Sequence, residues 1–176
     1  VVTNGVDTAY LRLWDLQGAE DRGIPGGWAQ RLHRVGFTAD GASLVLDDAV
    51  GVALLDVETR LPRRRLAGWR QALPRPQGGF VALALDGSVR LLDGAGEVLA
   101  GPTIDAAAGE LLALDGDWLL ALGPARTLRR IRLLTGEVDE LGPEPEAAVW
   151  EISGGRLIVG RRTGEVVVWS PFEERA

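Results

Sequence analysis

His33 is the one histidine in the chain of 176 residues. An imidazole that acts as a general base or a metal ligand needs partners around it that hold and tune it. Arg31-Leu32-His33-Arg34-Val35 supplies no such motif, so His33 reads as a structural residue facing solvent or a channel. Carboxylates gather at Glu137, Asp139, Glu140, Glu144 and Glu146. A calcium loop alternates Asp or Asn around a fixed glycine, and this stretch does not. It reads instead as a solvated outer strand whose charges block edge-to-edge pairing. Guanidinium groups, which grip phosphate and carboxylate, cluster at Arg60, Arg63, Arg64, Arg65 and Arg70 and again at Arg126, Arg129, Arg130 and Arg132. On an acidic chain, two basic clusters polarise the surface. Arg63, Arg64, Arg65, Arg129 and Arg130 therefore form the candidate interaction surface. Trp118 joins them, because it follows the Asp115-Gly116-Asp117 turn where an exposed aromatic would anchor a partner. No glycine-rich phosphate loop stands between a strand and a helix, and no Gly-x-Ser-x-Gly occurs. The expectation is a non-catalytic chain with no cofactor and no metal.

Composition narrows the class further. Apolar residues make up 46% and charged residues 25%, an ordinary balance for a globular protein with a sizeable core. The net charge of −6 disfavours wholesale binding to nucleic acid or to an anionic membrane. Cysteine is absent, so there is neither a disulfide nor a thiolate ligand, which fits the cytoplasm. Methionine and lysine are absent too, a bias expected of a GC-rich bacterial genome. No uncharged apolar run reaches the eighteen or so residues a membrane helix needs. The chain opens at Val1-Val2-Thr3, already strand-like, and reads as a cut or processed end.

The elements that carry these residues repeat. Leu11–Leu16, Val52–Val57, Val89–Asp93, Leu128–Leu133 and Val166–Ser170 are short strand-like runs of one shape. Their key apolar residues, Trp14, Leu55, Leu92, Ile131 and Trp169, are spaced by 41, 37, 39 and 38. A second strand precedes each: Val1–Thr3, Ser43–Leu46, Phe80–Leu85, Trp118–Leu122 and Arg156–Gly160. Leu32–Phe37, Glu110–Leu114 and Ala147–Ile152 are further strands, and Arg63–Leu66 and Glu137–Leu141 are polar edge segments. Turns such as Asp40-Gly41, Asp86-Gly87 and Thr163-Gly164 separate them. Gly27-Trp28, Gly68-Trp69, Gly101-Pro102 and Gly142-Pro143 precede successive units. Four strands in about 38 residues, with no convincing helix, make an all-β β-propeller of four-stranded antiparallel blades, about five full or partial in this chain.

Trp14-Asp15, Phe37-Thr38-Ala39-Asp40-Gly41, Asp86–Asp93 and Thr163–Trp169 resemble the WD-repeat β-propellers, over nearly the whole chain. The resemblance implies the propeller fold and a role in protein–protein interaction. Family blades carry Gly-His, whose histidine joins a buried network with a turn aspartate. Here tryptophan or proline follows the glycine, so packing by Trp28 and Trp69 is expected to replace that network. The blades fall at residues 27–67, 68–100 and 101–141, with partial blades at 1–26 and 142–176. The first lacks its innermost strand and the last its outermost. Either five blades close an imperfect ring, or the chain is part of a larger ring completed by another chain or domain, the stronger reading. The functional expectation is a scaffold or regulatory module with a protein partner. The alternative is a ligand-binding or enzymatic propeller, with Asp40, Asp48, Asp86 and Asp117 converging from turns.

Overall fold

Seventeen strands in five antiparallel sheets make up the described residues, which in the computed structural model are 2–4, 11–15, 17–18, 20–24, 32–144, 146–153 and 155–172. The first sheet holds β1 (Val2–Asn4), β2 (Leu11–Asp15) and β3 (Glu20–Gly23). The second holds β4 (Leu32–Phe37), β5 (Ser43–Asp48), β6 (Gly51–Asp56) and β7 (Pro62–Leu66), in chain order from inside to outside. The third holds β8 (Trp69–Pro74), β9 (Phe80–Ala84) and β10 (Val89–Leu92). The fourth holds β11 (Glu110–Asp115), β12 (Trp118–Leu122), β13 (Thr127–Arg132) and β14 (Val138–Pro143). The fifth holds β15 (Ala147–Ser153), β16 (Arg156–Arg161) and β17 (Val166–Trp169).

Burial explains why the middle strands read as continuous apolar runs. β5, β6, β9 and β12 are buried along nearly their whole length, because each has a neighbouring sheet against both faces. The outer strands β7 and β14 are largely exposed. Four apolar clusters fill the joints between successive sheets. Leu11 and Ile24 meet Leu44 and Leu55; Val52 and Leu54 meet Phe80 and Ala82; Val81 and Val89 meet Leu119 and Ile131; Leu120 and Leu128 meet Leu157 and Val159. Each fully buried leucine contributes about 1.5–3 kcal/mol relative to an exposed one. Among the described residues no cluster joins the fifth sheet to the first.

The third sheet departs from the four-strand unit. Its outer position is an irregular segment that pairs with the sheet at two isolated bridges, Leu92 with Val98 and Val89 with Ile104, and buries Ile104, Ala106 and Ala108 in the same core cluster as Val81 and Val89. Gly94, Gly96, Gly101 and Pro102 in this stretch disfavour a regular strand, and proline lacks the N–H that a ladder needs.

The glycine dipeptides are not equivalent, despite their spacing. Gly68 turns with φ 85° into β8, Gly101-Pro102 lies in the irregular segment, and Gly142-Pro143 ends an outer strand. Gly27-Trp28 lies outside the described residues.

Candidate functional site

Antiparallel hairpins put alternate turns at opposite ends of a sheet, and this decides which polar residues meet. Asp40 and Asp117 occupy turns between the first and second strands of their sheets; Asp48 and Asp86 occupy turns between the second and third. The four aspartates therefore divide between two faces and do not converge. Asp40, Asp48 and Asp86 instead cap their own turns, and Asp117 lies 3.7 Å from Arg132. The Ser88 side chain and backbone N–H hold Asp86 below the usual carboxylate range, and the Thr38 hydroxyl does the same for Asp40.

The six residues singled out from the sequence fall into two groups on different sheets. Arg63, Arg64 and Arg65 lie on β7; Arg129 and Arg130 lie on β13 and Trp118 on β12. Every arginine of the set has an acidic partner. Arg63 Nε is 3.1 Å from Asp56, and its Nη1 donates to the Ser43 hydroxyl at 3.0 Å. Arg65 grips Asp48 with two bonds of 3.1 and 2.7 Å. Arg129 donates to Glu140 at 2.6 Å and Arg130 to Asp139 at 2.7 Å. Arg64 is held most loosely, 3.8 Å from an exposed Glu97. Trp118 is half-buried, with the guanidinium of Arg130 4.4 Å and that of Arg132 5.2 Å from its ring centre.

Arg63 and Arg64 border a cleft of about 760 Å³ between the second and third sheets. Leu54 and Phe80 form its apolar floor, and both are buried in the joint beneath. Thr38, Asp40, Ser43 and Gln77 complete a polar rim. Gly79, with φ 71°, closes one wall; a Cβ there would lie 2.1 Å from the Leu92 carbonyl oxygen, so only glycine fits.

A second cavity of about 440 Å³ opens at the other end of the sheets, where His33, Arg70 and Glu110 bring the innermost strands of three sheets together. Asp47 lines it and is 1% exposed. Its Oδ1 accepts the Ala72 N–H at 3.2 Å, which ties the second sheet to the third. Its Oδ2, like Nη1 of Arg34 on the facing strand, has no hydrogen-bond partner among the described residues. Burial pushes the Asp47 carboxyl up to about 7, and burial likewise lowers the Arg34 guanidinium.

Sequence reasoning missed the best-satisfied buried acid. Glu144 was expected on a solvated edge, yet it is 0% exposed. Arg161 donates to it twice, at 2.7 and 3.0 Å, and the Trp169 indole donates at 3.1 Å. These bonds staple the end of the fourth sheet to the fifth, and they hold the Arg161 guanidinium above its usual range. The network expected to be absent is thus rebuilt around a carboxylate directly after Gly142-Pro143, with a tryptophan and an arginine as donors. Trp69 does pack against the joint below it, as expected. The only signal for the network was a Glu following the Gly-Pro dipeptide.

With this geometry in place, the likeness to known proteins is one of fold. No protein-family model and no curated protein matches the chain. Similar solved structures include the WD40 β-propeller domain of Doa1, at 16% identity and TM-score 0.70 over 95% of this chain and 59% of that one. The computationally designed Ika8 protein aligns at 18% identity and TM-score 0.66, over 96% of this chain and 54% of that one. PorZ, a surface component of the type-IX secretion system of Porphyromonas gingivalis, aligns at 11% identity and TM-score 0.60, over 98% and 27%. The chain is a β-propeller fold of five blades or partial blades, and it spans little more than half the length of the Ika8 and Doa1 chains. No helix among the described residues is long and apolar enough to cross a membrane.

Proposed function

We propose that this chain is a non-catalytic propeller segment that serves as a protein–protein interaction scaffold, with the cleft between the second and third sheets as its docking surface. The cleft itself carries the reading. An apolar floor of Leu54 and Phe80 inside a polar rim of Arg63, Arg64, Asp40 and Gln77 has the anatomy of an interface, a dry centre within a hydrogen-bonding margin. Arg64 supports it further, because its loose pair with Glu97 leaves the guanidinium able to exchange onto a partner carboxylate. The propeller fold, which hosts many such scaffolds, is consistent with the reading. The partner is another protein chain or domain, including one that completes the ring.

The experiment is quantitative affinity capture with wild-type chain and the Arg63→Glu/Arg64→Glu variant. Arg156→Glu, on the exposed start of β16, is the control. Proteins retained by wild type and by the control but lost by the double variant are the expected result. An unchanged set of partners overturns the assignment of the cleft.

A further inference from the structure

A repeated backbone feature shapes the cavity of about 440 Å³ at the mouth of the innermost strands. β4 pairs with β5 at Leu32 and again at Arg34, and β8 pairs with β9 at Trp69 and again at Gln71. His33 and Arg70 are therefore the extra residues of two bulges, each at the second residue of its strand. A bulge re-aims the side chain it carries. Both residues are exposed, and both line the cavity. Hydrogen bonds fix the walls across two joints. Asp47 accepts the Ala72 N–H at 3.2 Å, Gln71 Oε1 accepts the Leu111 N–H at 2.8 Å, and Arg70 donates to the Gly109 carbonyl. A pocket held in this way is preformed, and its volume falls in the range of about 300–1,000 Å³ that small-molecule sites occupy.

Polar groups on these walls have hydrogen bonds still to make. Asp47, 1% exposed, has no partner for Oδ2. The half-buried Glu110 carboxylate accepts no hydrogen bond among the described residues, and the Gln71 amide NH₂ donates none. His33 adds a ring able to donate and to accept. Charge, by contrast, is balanced. Asp47 and Glu110 both lie close enough to Arg34 to act on its charge, Arg70 adds a second guanidinium, and Arg65 holds Asp48. Matched charges give neither an anion nor a cation an advantage, and either would lose its hydration on entry. The occupant that fits is neutral, donates to carboxylates and accepts from an amide. A hydroxyl group does both.

We propose that this cavity binds a neutral, polyhydroxylated small molecule, a saccharide of one or two rings, with Asp47 and Glu110 accepting from its hydroxyls and Gln71 donating to them. The cavity lies at the opposite end of the sheets from the Arg63–Arg64 cleft, so each assignment can fail without the other. The probes are glucose, galactose, mannose, maltose and lactose, with glucuronate and glucosamine as charged counterparts. Each is titrated into the isotope-labelled full chain and followed by NMR at the Ala72, Gly109 and Leu111 amides, which sit in the cavity wall. At least one neutral sugar is expected to shift these amides saturably, and both charged counterparts to bind more weakly than that sugar. Glu110→Gln and Asp47→Asn each put an amide where an acceptor stood, and each is expected to weaken binding at least about tenfold. Asp47→Asn keeps an acceptor for the Ala72 N–H, so the joint it ties is retained. Arg64→Ala, in the other cleft, is expected to bind as wild type does. No saturable shift with any neutral sugar, a charged counterpart that binds as tightly, full binding to either carboxamide variant, or loss of binding in Arg64→Ala overturns the proposal.

Discussion

Glu144 and Asp47 are both carboxylates buried at a joint between sheets, and the protein surrounds them in opposite ways. Glu144 accepts three side-chain bonds, two of them from one guanidinium. Asp47 accepts one backbone bond on Oδ1 and none on Oδ2. The first joint compensates for the loss of water; the second does so in part, and the raised Asp47 carboxyl records the shortfall. Burial alone therefore does not say whether a charge stabilises this fold. The donors within reach do.

The largest expected effect follows from removing the better-satisfied acid. Glu144→Ala leaves the Arg161 guanidinium and the Trp169 indole without their acceptor at the joint of the fourth and fifth sheets. The Arg161 guanidinium is partly exposed and keeps Glu165 at 2.7 Å, so the loss is that of unsatisfied polar groups at the joint, about 1–3 kcal/mol. Chemical denaturation is expected to show that loss, and Glu144→Gln, which keeps an acceptor, is expected to lose less. Equal and small losses in both variants would mean that apolar contacts, not the staple, hold the fifth sheet.

Asp47 should behave in the opposite sense. Its carboxyl is raised in the folded chain from the ordinary 3.8 to about 7, so the folded state binds the proton more tightly than the unfolded chain. Stability is therefore expected to fall as pH rises from about 4 to about 7 and to level off above that. Asp47→Asn keeps an acceptor for the Ala72 N–H and cannot ionise. Thermal melts across that window are expected to lose this part of the slope, and the variant to be at least as stable as wild type at pH 8. If the two slopes coincide, Arg34 already neutralises Asp47 in the folded state.

The same contrast shows what the sequence could and could not disclose. Strand positions were legible because the middle strands must be apolar toward two neighbouring sheets, as in Leu44-Val45-Leu46, and because Asp-Gly turns punctuate them. The irregular outer segment of the third sheet was not, since its length matches a strand and only its glycines and proline argue otherwise. The buried acids were hidden for a different reason. Asp47 and Asp48 are adjacent, yet one bonds the next sheet and the other an arginine of its own outer strand. Glu144 sits among acids that are half-buried or exposed, and only the approach of Arg161 and Trp169 from the fifth sheet buries it. The Arg63–Arg65 cluster was legible as a basic strand, but that two of its members border a cleft depends on how the third sheet packs beside it.

The smallest expected effect on stability separates holding from binding. Arg64 and Glu97 are 3.8 Å apart with the glutamate largely in solvent, where such pairs contribute about 0–1 kcal/mol. Arg64→Ala should therefore leave the denaturation midpoint nearly unchanged, while Arg65→Ala, which strips the buried Asp48 of its bidentate partner, should lower it clearly. The two arginines are neighbours on one strand, so composition and local charge are matched. A variant that keeps its stability but loses partner capture would place the function of the cleft on the loosely paired guanidinium. Loss of capture in Arg65→Ala alone would instead mean that the rim works through the rigidity of β7, with Asp48 as its anchor.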